Sequence, residues 1–485
     1  LYLPPGEVVD VTIPAEAVGM GYTLWISGHR DNLDGKDKWL RMPKVIGEFP
    51  IEGETMQMAT PFGGAIYIAT GKTPLDLPPF EVGFNGVVEA PYFVLGQTSD
   101  AEWVEGIRDL PAPYAELKCD NLQISLPSKF IRSLGNPTAV MEFWNQVVAL
   151  QDELGVQGHL RTNGERINID VQIVAGYLHA GYPVQGPHVA APELVDTNKL
   201  QTSGSWGWFH EIGHESQRRP DKSWGSDNPY TFDGSVECTV NLFTSYVYDK
   251  LEIQDRGGWS WTGSRVAVMR KALSGLEEGE TYASVGVGNK LAMFLEQRDQ
   301  WGWETFQQVF EGYHEDQENN PGLMPGSEQD ERDQWMIRFS NAVSHSMVPF
   351  MRDHWGISIS DEAADAVKFM PPWLPAVGGI EGLYATTINT PATLDLRGEA
   401  LSHDGVANIT GLSIASNGTL EDTGSVFVYT PHEGFRGKDS FSYDVVSSTG
   451  HAATSIVEIN VSNQGVLLDR WYNIDGKLVS DLTSQ

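Results

Sequence analysis

Hydrophobic and polar positions change their period twice along the chain, and the changes divide it into three stretches. From Leu1 to about Glu116, short runs rich in β-branched and aromatic residues (EVVDVTIP, YTLWISGH, AIYIAT, FNGVVEAPYFVLG) are separated by Gly, Pro, Asn and Asp. That rhythm predicts an antiparallel β-sandwich with little helix. At GNPTAVMEFWNQVVALQDELG the period lengthens. Val140, Phe143, Trp144, Val147, Val148 and Leu150 recur at three-to-four spacing, which marks one buried helical face. Asn136 and Pro137 supply a predicted N-cap and first-turn proline. Helical signals continue to about residue 369, through GNKLAMFLEQRDQWGWETFQQVFEGYHE and DQWMIRFSNAVSHSMVPFMRDHWG. The proline-rich FMPPWLPAVGG stops them. Beyond it, SFSYDV and ATSIVEINV return to the two-residue alternation of strands.

These periods predict a multidomain α+β chain. Residues 1–116 form an N-terminal β-sandwich, 117–376 a mainly helical domain and 380–463 a second, Ig-like β-sandwich, while 464–485 are a linker or the start of a further module. A length of 485 residues is several times what one core needs, so division into domains is expected. The 40% apolar content, with 15 Trp and 16 Tyr, is that of folded protein. Acidic side chains outnumber basic ones 65 to 32, and the resulting charge of −33 repels nucleic-acid phosphates, so no nucleic-acid partner is expected. No apolar run is long enough to predict a transmembrane segment. Cys119 and Cys238 are expected to be buried thiols. The ends, LYLPPGEVVDVTIP and GKLVSDLTSQ, read as cuts in a longer chain, with a signal peptide removed upstream and export from the cell expected.

The candidate chemistry lies in GWFHEIGHESQ, residues 207–217. On a helix, positions i and i+4 share a face, so His210 and His214 can direct two imidazoles at one ion. The apolar neighbours in GSWGWFHEIGH argue against an ordinary solvated face. Glu211, beside the first histidine, is placed to reach a water and serve as general base. A catalytic zinc needs a third protein ligand and one open position. Glu237, early in the periodic stretch DGSVECTVNLFTSYVYD, is the candidate; Glu215 and Asp233 are the nearby alternatives. Asn241, four residues after Glu237, is expected to orient it or to bind substrate. Cys238 points about 100° away on the helix and is left out.

HEIGHESQ followed by SVECTVNLFTSYVY resembles the enhancin-like metallopeptidases, whose pattern is H-E-x-G-H-x-x-Q and then, after a spacer, Glu with Asn four residues on. His210, Glu211, Gly213, His214, Gln217, Glu237 and Asn241 occupy those positions. LYLPPGEVVDVTIP, PFGGAIYIA, APYAEL, VAGYLHAGYPV and WGWETFQQVF extend the resemblance over about residues 1–376. It implies a gluzincin-type fold and zinc-dependent hydrolysis of peptide bonds, in many members within mucins and other O-glycosylated proteins whose sugar is needed for recognition. Trp206, Trp208, Trp224 and Tyr230 are then the nearest aromatics for stacking on a sugar, with Trp206 the best placed and Tyr230 also retained. His179 and Tyr182, in a loop after the strand INIDVQIV, are expected to line the cleft. The tail VFVYTPHEGFRGKDSFSYDVVSSTG resembles cadherin-like, immunoglobulin-type bacterial repeats, in which Asp439 and Asp444 are candidate Ca2+ contacts. LLDRWYNIDGKLVSDLTSQ resembles the opening of a lectin-like module of the protective-antigen type. The functional expectation is a secreted or cell-surface zinc endopeptidase acting on O-glycosylated proteins. Its alternatives are a zinc endopeptidase with no glycan requirement and a glycan-binding or adhesion protein built on a peptidase-like domain.

Overall fold

The structure, a computed structural model, describes residues 1–70, 79–221, 224, 228–253, 281–374, 382–397, 407–447 and 452–462. The described residues form two compact units divided at Trp373 and Leu374.

The first unit begins with β1 (Tyr2–Leu3), β2 (Val9–Thr12), β3 (Thr23–Ile26), β4 (Gly47–Pro50), β5 (Thr55–Met58), β6 (Gly64–Ala69) and β7 (Gly83–Asn85). They build two sheets, ordered β1-β6-β3-β4 and β5-β2-β7, with every pairing antiparallel. Alternation does the sorting: Val9 and Val11 are buried while Asp10 and Thr12 are exposed. Both sheets close on one core that includes Leu3, Val11, Leu24, Ile26 and Met58.

A five-stranded mixed sheet follows, ordered β12-β11-β10-β9-β8, from β8 (Tyr92–Val94), β9 (Tyr114–Lys118), β10 (Leu122–Pro127), β11 (Glu165–Asp170) and β12 (Val184–Pro187). APYFVLG and most of APYAEL, grouped by rhythm with the first sandwich, belong to this sheet instead. Alternation identifies a strand but not its partner, and β9 pairs antiparallel with β10, from Lys118 opposite Gln123 to Tyr114 opposite Pro127. One face of the sheet is polar and meets the N-terminal sandwich: Asn168 Nδ2 lies 2.9 Å from His29 Nδ1, and Arg41 Nε donates to Asp170 Oδ2 at 2.7 Å. On its other face the helices pack, with Trp208 against Gly186.

The helices are α1 (Asp100–Glu105), α2 (Pro137–Leu154), α3 (Ala191–Val195), α4 (Thr197–Ser203), α5 (Trp206–Gln217), α6 (Val236–Lys250), α7 (Val287–Asn319), α8 (Glu328–Val343) and α9 (Asp361–Ala366). α7 is two helical segments that meet at Gly302, where φ is 76°. The apolar stripe of α2 is buried as its spacing predicts, but Asn136 makes no cap hydrogen bond. Asp100 takes that role from outside: its Oδ1 accepts from Thr138 N at 3.0 Å and from Thr138 Oγ1 at 2.8 Å. Cys119 and Cys238 are both free and buried. No described helix is long and apolar enough to cross a membrane.

The second unit contains β13 (Gly382–Thr387), β14 (Ala392–Leu394), β15 (Ala407–Thr410), β16 (Gly418–Asp422), β17 (Phe427–Pro431), β18 (Gly437–Ser447) and β19 (Ala452–Ser462). Sheets β13-β19-β18-β15 and β14-β17-β16 share a core that includes Leu394, Phe427, Tyr429, Tyr443 and Ile459. The calcium expectation at Asp439 is corrected by its surroundings. This buried carboxylate accepts from Ser416 N (3.1 Å), Asn417 N (2.9 Å), Ser440 N (3.0 Å) and Tyr429 Oη (2.8 Å). Its lone pairs face donors, which repel a cation. Asp444 Oδ1 accepts from Thr454 Oγ1 at 2.6 Å, a contact between neighbouring strands. The further module expected at 464–485 lies outside the described residues.

Candidate metal centre

α5 packs against both α2 and α6, and two glycines permit the close fit. Gly204, with φ 63°, turns the chain into the helix where a Cβ would sit 2.8 Å from the Tyr248 ring. Gly213 lies in the helix, where an added Cβ would come 3.1 Å from Val240 Cγ2 and 3.3 Å from Gln151 Nε2. Trp208, Phe209 and Ile212 are fully buried along the same helix. Each such side chain contributes roughly 1.5–3 kcal/mol of hydrophobic stabilisation. Gln151 Nε2 also donates to Phe209 O at 2.6 Å, tying α2 to α5.

The opposite side of α5 carries the chemistry. The ligand atoms of His210, Glu211 and His214 all lie within 4.8 Å of one another. Glu237, from the first turn of α6, enters between the imidazoles, its Oε2 lying 3.1 Å from His210 Nε2 and 3.5 Å from His214 Nε2. A tetrahedral ion with ligand bonds of about 2.0–2.2 Å has ligand–ligand edges of roughly 3.3–3.6 Å. The His214 separation falls in that range and the His210 separation is about 0.2 Å shorter. Glu237 is thus placed where it could complete a donor set with His210 and His214, with the Glu211 carboxylate beside them. The carboxylate of Glu237 is 56% exposed, so the centre opens toward solvent on that side.

The other nitrogen of each imidazole is pinned. His210 Nδ1 lies 2.8 Å from Asn241 Oδ1, and His214 Nδ1 lies 3.0 Å from Gln217 Oε1. Both amides are oriented by their own donors: Asn241 Nδ2 donates to Glu237 O at 2.8 Å, and Gln217 Nε2 donates to Val236 O at 2.9 Å and Thr239 Oγ1 at 2.6 Å. Amide oxygens accept, so each Nδ1 carries the proton and each Nε2 presents a lone pair to the Glu237 carboxylate. Three acceptors converging on one point call for a cation, and this donor set fits a divalent metal ion. Protons feel the same field. Burial opposes charge on His210, but Glu237 and Asn241 outweigh it and raise its pKa. With no ion between them and both imidazoles protonated, hydrogen bonds from His210 and His214 hold the Glu237 carboxyl well below the usual range. Burial pushes Glu211 up, with both imidazoles opposing.

Of the other sequence candidates, Asn241 is 3% exposed and sits behind His210, where it holds the imidazole in place. Tyr230 requires a correction. It is 1% exposed, its ring packs on Phe310, Tyr313 and Trp335, and its hydroxyl donates to Gln217 O at 3.1 Å, which buttresses the end of α5. Trp208 is buried, and Trp224 stacks on His314 with ring centroids 4.8 Å apart. Trp206 is partly exposed and lies against Tyr248. Tyr182 is exposed, and its hydroxyl donates to Gly164 O at 3.3 Å. His179 is held by Asp31 Oδ2, 2.9 Å from its Nε2, and by Ala180 O, 2.9 Å from its Nδ1. Its hydrogen bond to the Asp31 carboxylate raises its pKa, and Glu211 adds to the effect. Asp31 carried no sequence signal, being 148 positions away. The role of Gln217 was readable from its place one turn after His214.

The family model that matches more than half of the chain places it in the metallopeptidase class. The chain belongs to the peptidase M60, enhancin and enhancin-like family, whose model matches residues 86–356. The N-terminal domain of M60-like peptidases matches residues 1–84, and a bacterial Ig domain matches residues 375–460. A TRPM8 channel-associated factor homolog of Xenopus laevis is 31% identical over 373 residues, covering 77% of this chain and 40% of that protein. This chain thus spans less than half of that relative. A functionally unknown conserved protein from Bacillus anthracis superposes with a TM-score of 0.61 at 17% identity, over 95% of this chain and 93% of that one. IMPa from Pseudomonas aeruginosa in complex with an O-glycopeptide gives 0.56 at 14% identity, over 78% of this chain and 50% of that one. At these identities the likeness is one of fold.

Proposed function

We propose that the protein is a secreted zinc endopeptidase that hydrolyses peptide bonds in O-glycosylated, mucin-type proteins. The observation that carries this reading is the convergence of His210 Nε2, His214 Nε2 and Glu237 Oε2 at 3.1 and 3.5 Å, with Glu211 beside them. Zinc suits two imidazoles and one carboxylate, and when bound it supplies a Lewis acid that polarises the scissile carbonyl and lowers the pKa of water. Asn241 and Gln217 hold the two imidazoles in the ligating tautomer. Glu211, whose proton affinity is raised by burial, accepts a proton from the attacking water and hands it to the leaving amine. The solved IMPa structure with an O-glycopeptide supports the substrate class.

The test digests one mucin-type glycoprotein before and after enzymatic removal of its O-glycans, with and without a chelator, alongside Glu211→Gln. Cleavage that needs the glycan, the metal and Glu211 is expected, with the variant slowed by about 10²–10⁴-fold. Equal cleavage of the stripped protein overturns the glycan requirement and leaves a zinc endopeptidase without one. The relative named for association with a channel favours a second reading, a peptidase fold that binds a glycoprotein without cutting it. Metal-replete protein that binds the substrate and never cleaves it supports that second reading.

A further inference from the structure

Burial withdraws Trp208 and Tyr230, two of the four aromatics nearest the metal helix in sequence, from contact with a substrate. Among the exposed apolar side chains, Trp39, Leu40 and Tyr177 lie on two loops that are hydrogen-bonded to each other. One loop, residues 27–46 between β3 and β4, belongs to the N-terminal sandwich and exposes Trp39 by 52% and Leu40 by 66%. The other, residues 171–183 between β11 and β12, exposes Tyr177 by 58% and carries His179. Half-exposed Trp and Tyr side chains on adjoining loops suit a binding surface rather than a core.

The tie between the loops is specific. Asp31 Oδ2 accepts from Val174 N at 2.7 Å and pairs with His179 Nε2 at 2.9 Å. Leu40 N donates to Gln172 Oε1 at 2.7 Å, and Gln172 Nε2 donates back to Lys38 O at 2.9 Å. The second loop rests on the metal helix, since a Cβ on Gly207 would lie 2.9 Å from Leu178 Cδ1. Gly207 is one turn before Glu211 on the same face of α5. The rim is thus continuous with the catalytic face.

We propose that Trp39 and Tyr177 form a carbohydrate-stacking rim beside the cluster of His210, His214 and Glu237, so that the N-terminal sandwich itself contributes to reading a neutral sugar on the substrate chain. The inference rests on the glycoprotein reading above and extends it to Trp39, a residue outside the stretch that the peptidase model matches. Aromatic faces match the C–H faces of a pyranose, and a neutral sugar escapes the repulsion that a chain of net charge −33 exerts on anions.

The test uses the full chain with Glu211→Gln to stop turnover, loaded with zinc. Isothermal titration compares a threonine peptide bearing one O-linked N-acetylgalactosamine with the same bare peptide. The parent is expected to prefer the glycopeptide. Trp39→Ala and Tyr177→Ala should each weaken glycopeptide binding by about fivefold or more, one lost aromatic contact, and leave bare-peptide binding unchanged. Trp39→Tyr should restore most of the affinity, and Phe369→Ala, exposed by 78% elsewhere, should change nothing. Unchanged glycopeptide binding in both alanine variants overturns the rim while the proposed activity stands. Equal losses on both peptides overturn it in favour of a polypeptide-binding surface. A parent that shows no preference for the glycopeptide removes the glycoprotein reading, and the rim falls with it.

Discussion

Truncating Asn241 separates the imidazole-pinning amides from the metal ligands themselves. Asn241→Ala removes the oxygen that accepts from His210 Nδ1 at 2.8 Å and the donor that reaches Glu237 O at 2.8 Å. The side chain is 3% exposed, so little water replaces either bond, and each unsatisfied group costs about 1–3 kcal/mol. His210 is then free to place its proton on Nε2, the ligating atom. Loss of such a partner typically weakens metal affinity about 10–100-fold, or about 1.4–2.7 kcal/mol. With zinc at about 100 times the parent Kd, binding stabilises the parent by about 2.7 kcal/mol. The variant should gain only about 0.4–1.4 kcal/mol at the same concentration. Competition against a zinc-chelating dye gives the affinities, and urea unfolding with and without zinc gives the stabilities. A Kd within threefold of the parent, measured beside a His210→Ala control that binds no zinc, would refute the tautomer argument.

Three further outcomes follow from the geometry. Gly213→Val should lower the melting temperature and weaken zinc binding together, because a side chain 3.1 Å from Val240 Cγ2 forces α5 from α6 at an overpacking cost of about 1–3 kcal/mol; unchanged melting would show that the helices yield freely. Burial pulls His314 down to about 4, so the native state binds its proton later than the unfolded chain does. Its contribution is complete above the unfolded pKa of about 6.5 and is lost as pH falls toward 4, at up to about 1.4 kcal/mol per pH unit. Stability curves of His314→Gln should therefore be flatter than the parent's across that window, and parallel curves would count against the assignment. In the Ig-like unit, Asp439→Ala strands the donors of Ser416, Asn417 and Tyr429 and should unfold that unit at markedly lower temperature, whereas a calcium chelator should leave the parent's transition in place; a chelator-sensitive transition would restore calcium to the site.

Much of the fold and half of the candidate centre were legible because they are local. Strand alternation in Val9–Thr12 and the apolar stripe of α2 are periods of two and about 3.6, set by backbone geometry alone. His210 and His214 share a face for the same reason, and Gln217 follows by one more turn. What stayed hidden depends on neighbours remote in sequence. Asp100, not Asn136, caps α2 because a carboxylate 38 positions away arrives there. The strand at Tyr92–Val94 joined the second sheet because strand pairing is a hydrogen-bond register between segments and leaves no trace in alternation.

The sequence by itself determined which side chains stand on one helical turn, and so the pair of imidazoles and the base beside them. Tertiary structure alone decided that Glu237 enters between those imidazoles, that Tyr230 is sealed under Phe310 and Trp335, and that Asp31 holds His179. Helical periodicity is a property of adjacent residues, whereas burial and long-range pairing are properties of the packed chain.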